Sequence, residues 1–461
     1  MRFLKPEFGL GLCGVLLIGL TGLGLTLPQP IIGQFGIGYG RPLDHFVILG
    51  CVEGLIYFAA VALILRSLPP ARIIWLIIGC AAILRLMVVV FPPFLSNDMY
   101  RYIWDGWVQS AGINPYRYIP ADPHLAFLRD AIVFPNINRA DYAHTIYPPT
   151  AEMMFFAATR IGGLLAIPPV LAMKLCMLGF EGIGIWAMIR LLDHAGLPRA
   201  RILIYAWNPL PVWEFAGSGH VDAIAICCIA LTLLAVCKGR HNWGAIALAA
   251  AVLTKFLPVI LLPALWRRWD WKFAAVFIAF IALFYAPYLG VGEAVLGFLG
   301  GYSAQEGIDS GQGIFPLAVF GKLVALPADA SKIYLFILAV ALTALGLVMV
   351  FGRALPPARG AATERIARHG LMLGCVLMVG LSPHYPWYYC WLLIPACIVP
   401  WSSVLYLVTA TFLLYLNPIH TELFWPALVY GPFAVLALLD AWVGKTAVTV
   451  MGLHLAEGDR T

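Results

Sequence analysis

The chain has 461 residues, 62% of them hydrophobic and only 11% charged, with a formal net charge of +6 and a mean hydropathy of +0.88. Soluble domains carry about a quarter charged residues, so a soluble fold is excluded, and the repeated apolar runs suit helices of about 20 residues rather than the roughly 10-residue alternating strands of a barrel. No basic, aromatic-interleaved soluble segment exists, so nucleic acid is excluded as a partner, whereas the lipid bilayer is an obligatory one.

In chain order, the basic start and long apolar core of "MRFLKPEFGLGLCGVLLIGLTGLGLTL" resemble a signal sequence without a clear cleavage site, and read as an uncleaved first span over about 9–28. Lys and Arg in short loops mark the cytoplasmic side. Arg2 and Lys5 place the N-terminus inside, spans over about 45–66 and 71–91 follow, and the stretch 92–149 is then outside. The basic loops 190–201, 238–242, 267–272 and 352–369 read as cytoplasmic, as does the C-terminus after Lys445. The cysteines lie in or beside apolar segments, so Cys227 and Cys228 are expected to pack between helices rather than form disulfides.

The first polar stretch, "SNDMYRYIWDGWVQSAGINPYRY" over 96–118, carries the clearest pattern. Ser96 or Asn97 can cap a helix. Asp98, Arg101, Tyr102 and Asp105 then fall on one helical face, and Tyr100, Trp104 and Trp107 on another. This predicts a helix lying along the outer surface with a charged edge and an aromatic edge, ended by the Gly and Asn-Pro breakers. Asp98 and Asp105 are two turns apart, about 10 Å, too far to share a proton. Spacing alone leaves two readings: a solvated face of i,i+3 and i,i+4 salt bridges, or a catalytic edge with one carboxylate as general base.

Further along, 150–164 follows Pro148-Pro149 and is too short to cross, so it reads as juxtamembrane or re-entrant. The run 243–266 starts and ends beside basic loops and reads as a half-depth hairpin with "TKFLP" at its tip. In this frame the polar segments 92–149, 213–222, 300–313, 382–389 and 417–422 all fall on the outer side and converge at one membrane face. A transporter would instead scatter ionisable groups near mid-membrane and show an internal repeat.

The segments "SNDMYRYIWDG…AGINPYRY", "YPPTAEMMF" (147–155), "WNPLPVWEFAGSGHVDA" (207–223), "TKFLPVILLPALW" (254–266) and "SPHYPWYYCWLLIP" (382–395) together resemble the GT-C superfamily of membrane glycosyltransferases. The resemblance is to polyprenyl-phosphate-sugar-dependent hexosyltransferases, such as the mannosyltransferases of glycosyltransferase family 87 and its relatives. It implies an all-α polytopic bundle of about 11–14 membrane segments with a large extracytoplasmic first catalytic loop. It implies a sugar donor on polyprenyl phosphate, transfer with inversion to a glycolipid or glycan acceptor, and an aspartate base, matched here by Asp98. Three spans precede the loop here, where the family usually has one. The expected layout is N-terminal helices over 1–91, the catalytic loop over 92–149, the bundle over 150–445 and a cytoplasmic tail over 446–461, in the inner membrane.

The other candidates each carry an alternative. Arg101, Tyr102 and Asp105 are expected to support the substrate site, Asp105 chiefly by holding Arg101. Lys255, costly within an apolar segment, is assigned to the donor phosphate, against simple snorkelling to an interface. Glu214, His220 and Asp222 are assigned to sugar hydroxyls or, for His220, phosphate, against a capped helix start. A divalent metal held by these three is the weaker alternative, because no D-x-D triplet occurs, and no other cofactor is indicated. His384 suits phosphate, and Trp387 and Tyr388 suit a sugar ring, against an aromatic belt. Asn114, Tyr116 and Tyr147 shape the loop; His420 and Glu422 are acceptor-side candidates; Lys174 and Glu181 read as an intramembrane pair. The leading reading is therefore an inverting hexosyltransferase, with mannose as the expected sugar. A lipid-linked-sugar flippase or transporter, and a scaffold subunit of an envelope assembly, are the other two.

Overall fold

A computed structural model describes residues 6–32, 38–67, 69–267, 269–352, 358–417 and 422–458. The architecture is an all-α, multi-pass membrane bundle, with one two-residue strand pair, Ile31–Ile32 against Gly38–Tyr39. Six helices among the described residues are long and apolar enough to cross a bilayer: Pro6–Thr26, Arg41–Arg66, Pro169–Ala195, Trp271–Leu296, Ala330–Phe351 and Phe424–Val443. Ile73–Val89, Asp222–Cys237 and Ser402–Leu416 are shorter and equally apolar. The Trp271–Leu296 and Ala330–Phe351 helices are buried by protein over only 6% of their apolar windows, against 50% for Arg41–Arg66. Bare apolar faces of that extent need lipid around them.

The helix Asp98–Ser110, here the loop helix, forms where expected, but its side chains are not laid out along a surface. Met99, Arg101, Tyr102, Ile103, Trp104, Asp105, Gly106 and Val108 are all buried. The reason is that the remainder of the loop folds back over it: Asn97 donates to the Asn136 carbonyl at 2.8 Å and Arg101 to the Ala143 carbonyl at 3.0 Å. On the other side it packs against Pro149–Leu164. Tyr102 stacks on Phe155 at 4.5 Å, and Trp104 meets Phe134 rather than a membrane boundary. The approach is so close that a Cβ on Gly106 would lie 2.5 Å from the Phe155 carbonyl oxygen.

The run after residue 240 is a hairpin, as the basic flanks imply. Helix His241–Val252 rises, the chain turns at Thr254-Lys255, and Leu257–Leu261 and Leu262–Leu265 return. Twelve residues at 1.5 Å each make the rising arm about 18 Å long, short of a full crossing. The Leu253 carbonyl accepts from Thr150 N at 2.9 Å, which ties the hairpin tip to the start of Pro149–Leu164.

The expected Lys174–Glu181 pair is not formed. Glu181 is held by Arg85 through two bonds of 2.8 and 2.7 Å, with the Tyr205 hydroxyl at 3.0 Å. The forked guanidinium matches a carboxylate where an ammonium two turns away on the same helix cannot. Lys174 donates instead to the Phe91 and Val88 carbonyls at the end of Ile73–Val89, where free carbonyls favour a cation. All ten cysteines are free, with Cys227 and Cys228 buried between helices.

Candidate active site

A cavity of about 270 Å³ opens where three of the five expected polar segments meet the tip of the hairpin. The loop contributes Asp98, Arg101, Asn138, Arg139 and Tyr147; the hairpin tip contributes Lys255; 298–313 contributes Tyr302 and Glu306; and 383–388 contributes His384, Tyr385, Trp387 and Tyr388. Of the 417–422 segment, Asn417 and Glu422 are not on the cavity wall, and His420 lies outside the described residues.

Asp98 is placed by local chemistry. Ser96 Oγ, not the Asn97 side chain, accepts from Asp98 N at 3.2 Å and starts the helix. Asn138 Nδ2 donates to Asp98 Oδ1 at 2.7 Å and to Asn97 Oδ1 at 3.1 Å, fixing the carboxylate from the far side of the loop. Oδ2 points toward His220 Nδ1, 3.9 Å away. The Asp98 side chain keeps 22% of its surface open, the exposure a reactive carboxylate requires.

Arg101 and Asp105 have a different setting. Arg101 Nε lies 2.9 and 3.0 Å from the two Asp105 oxygens, with both side chains nearly sealed from solvent. The i,i+4 bridge allowed by the spacing is thus real, but buried rather than solvated. The i,i+3 partner is lost, because Asp98 turns to Asn138. Tyr102 is buried in its stack with Phe155 and stays off the cavity wall. Asn114 ties the loop to Trp271–Leu296, donating to the Tyr288 carbonyl at 2.9 Å, and Tyr116 acts inside the loop, its hydroxyl donating to the Tyr147 carbonyl at 2.6 Å.

Lys255 projects into the cavity from the hairpin. Its Nζ lies 2.9 Å from Asp222 Oδ2 and 3.6 Å from the centre of the Tyr388 ring. An ion pair and a cation–π contact hold the ammonium charged and in place. Asp222 is also the first residue of Asp222–Cys237, so it serves the helix start and Lys255 together. Tyr388 in turn shares a 3.0 Å hydroxyl contact with Tyr302.

His220 and Glu214 do not line the cavity. They follow from a π-helical turn over Val212–Gly217 and a left-handed Gly219 (φ 73°), where a Cβ would lie 2.9 Å from Met99 Sδ. The His220 ring stacks under Trp387 at 3.8 Å and 18°, and Trp387 under Tyr385 at 4.9 Å and 11°. Among the described residues no three His, Cys, Asp or Glu side chains are grouped to hold a metal. The carboxylate of Asp222 is turned to Lys255, so the His220, Asp222 and Glu214 triad does not converge.

Four wall residues are invisible to spacing arguments. Asn138 and Arg139 sit in irregular backbone, Arg139 in a left-handed conformation (φ 57°) that non-glycine residues seldom adopt. Arg139 Nε donates to Gln305 at 2.8 Å. Burial opposes the Arg139 charge, yet Tyr385, Asp98, Tyr302 and Glu306 around it hold the guanidinium above its ordinary value. Glu306 accepts from the Tyr385 hydroxyl at 2.8 Å, and burial pushes its carboxyl up to about 7. The only signal for Glu306 and Tyr385 was membership of polar segments expected to share one side.

A family model described as alpha-(1->6)-mannopyranosyltransferase, N-terminal domain, matches residues 9–270. The chain is 25% identical over 271 residues to the alpha-(1->6)-mannopyranosyltransferase A of Mycobacterium tuberculosis, covering 57% of this chain and 51% of that protein. It is 26% identical over 184 residues to the protein of the same name from Corynebacterium glutamicum, covering 38% of this chain and 35% of that one. The chain therefore spans about half, or less, of the curated relatives it matches. No solved structure gives a significant match. The matched stretch contains the loop helix, the His220 turn and Lys255, and on that match the chain belongs to the alpha-(1->6)-mannopyranosyltransferase N-terminal-domain family.

Proposed function

We propose that the protein is an inverting membrane mannosyltransferase that takes mannose from a polyprenyl-phosphate donor and passes it to a glycolipid or glycan hydroxyl outside the cytoplasm. The observation that carries this reading is one half-open carboxylate, Asp98, facing the same cavity as two held cations, Lys255 and Arg139. The family membership and the names of the relatives support mannose as the sugar and an α-linked product.

In this reading Asp98 takes the proton of the acceptor hydroxyl. The oxygen attacks the anomeric carbon, and the bonding pair to the phosphate oxygen leaves with the phosphate. Lys255 and Arg139 stabilise the departing charge from fixed positions, at little reorganisation cost. A phosphate departs without a proton, so no second carboxylic acid is needed, and a single displacement turns a β-linked donor into an α-linked product. Tyr147 and Tyr388 are assigned to the sugar, Trp387 is held between the His220 and Tyr385 rings and offers it only an edge, and His384 joins the phosphate side. Apolar wall residues such as Leu257, Phe298 and Met378 suit the isoprenoid. The termini are assigned to the cytoplasm, the cavity to the outer face of the inner membrane, and the loop over 92–149 to the catalytic role.

The test is transfer by the purified chain in nanodiscs, with a polyprenyl phosphomannose and octyl α-mannoside, the product's anomeric configuration being read by NMR. An α-linked disaccharide that disappears in Asp98→Asn is expected. Equal turnover by Asp98→Asn at equal protein level sinks the assignment. Movement of the donor across the bilayer without acceptor modification would favour a flippase.

A further inference from the structure

We propose that His220, backed by Glu214, receives the proton that Asp98 abstracts and holds it as an imidazolium until the product leaves. This rests on the transferase reading above, and it gives His220 a positioning role, acting through Asp98, rather than a contact with sugar or phosphate.

The two nitrogens of one imidazole face two carboxylates. Nδ1 is 3.9 Å from Asp98 Oδ2, and Nε2 is 3.3 Å from Glu214 Oε2. The other oxygen of Glu214 accepts the Tyr415 hydroxyl, and Glu214 also takes His220 N on its backbone carbonyl at 3.0 Å. The His220 side chain is 1% exposed and that of Glu214 fully covered, with Trp387 closing the ring face. Substrate in the cavity therefore meets Asp98 and Trp387 but not His220. Neither ring nitrogen, nor Glu214 Oε2, completes a hydrogen bond among the described residues, the 3.3 Å contact being off the line of one. Buried polar atoms are nearly always satisfied. Three such atoms between two carboxylates point to bonds that close at another stage of the reaction, since catalytic contacts often tighten only with substrate.

The assignment of protons follows. A hydrogen on Nε2 faces Glu214, which leaves the Nδ1 lone pair toward Asp98. As the acceptor oxygen bonds to the anomeric carbon, its proton goes to Asp98 and then to Nδ1, while the C–O pair leaves on the phosphate. The imidazolium lies between two carboxylates, and its proton returns through Asp98 to solvent once the product has gone. The charged and titratable groups around the ring are Asp98 from the loop helix, Glu214 and Tyr415 behind it, Tyr102 beside Asp98, and the Asp222–Lys255 pair two residues on.

The experiment is histidine-selective nitrogen NMR of the full chain in nanodiscs at fixed pH, with the His220 signal assigned by His220→Gln. Nitrogen shifts tell a protonated ring nitrogen from a bare one, so the resting ring is expected to carry its hydrogen on Nε2, toward Glu214, and to leave Nδ1 bare. A resting ring protonated on Nδ1 overturns the proposal, whatever reaction the protein performs. In the transfer assay, His220→Gln is expected to lower kcat by about 10²-fold, to leave the donor KM within about twofold, and to remove the limb of the pH profile that His220 sets. A loss with an unchanged pH profile marks a merely structural role and also overturns it. Should His220→Gln fail to fold, Glu214→Gln supplies the same two readouts. If the wild-type chain transfers no mannose while the tautomer is as expected, the transferase reading fails and the ring assignment stands.

Discussion

Two positions on the loop helix, its first residue and one two turns on, carry the same side chain in opposite circumstances. At its start Asp98 is half open, bonded to a neutral amide, and faces a cavity with cations across it. Two turns on, Asp105 is 1% exposed and bonded to a guanidinium. The difference is made by what folds over each: Asn138 leaves one oxygen of Asp98 available, whereas Arg101 and the loop seal Asp105. Reactivity here is a property of the covering loop more than of the helix.

The largest expected effect breaks the comparison at its open end. Asp98→Asn should cut transfer by about 10³-fold or more, roughly 4 kcal/mol of transition-state stabilisation. Its thermal midpoint should stay within about 1 °C of wild type, because an amide can keep the Asn138 contact. At the closed end the consequence is reversed. Asp105→Ala strands a buried guanidinium, so about 3–5 kcal/mol of stability should be lost, read as a fall in midpoint and in folded yield. Replacing both partners, Arg101→Met with Asp105→Leu, should recover much of that loss. If Asp105→Ala instead lowers kcat with an unchanged midpoint, the division of labour between the two acids is wrong.

A smaller effect sharpens the open end. Lys255→Met with Asp222→Asn removes the cation without leaving its carboxylate unpaired, and should raise the donor KM by about 10-fold, near 1.4 kcal/mol. The smallest expected effect concerns Glu306. Its folded carboxyl is raised to about 7, so the folded state binds a proton the unfolded chain has released. Stability from this group is full at low pH and is lost as pH rises through about 7. Midpoints measured across that window should decline in wild type and decline less in Glu306→Gln.

The bundle was legible in the sequence because apolar length is a one-dimensional signal. Three of the five polar segments expected on one face meet at one cavity. Helical spacing put Asp98 and Asp105 on one face without separating them, and the resemblance alone singled out Asp98. What was not legible depends on cross-chain partners. Glu181 found Arg85, 96 positions away, instead of a lysine on its own helix. The solvated edge of the loop helix vanished under residues 111–148, whose irregular backbone has no period to read. Asn138 and Arg139 lie in that cover, and Arg139 depends on a left-handed conformation that side-chain patterns do not announce.

The π turn at Val212–Gly217 bears on how this sequence can change over time. Its wide bond, Ser218 N to the Trp213 carbonyl at 2.8 Å, takes in one residue more than an α-helix would. Deleting a single residue there would restore α-helical bonding and remove the bulge that sets His220 against Asp98. Homologous sequences should therefore accept substitutions in this segment but not gaps, while the covering loop varies in length.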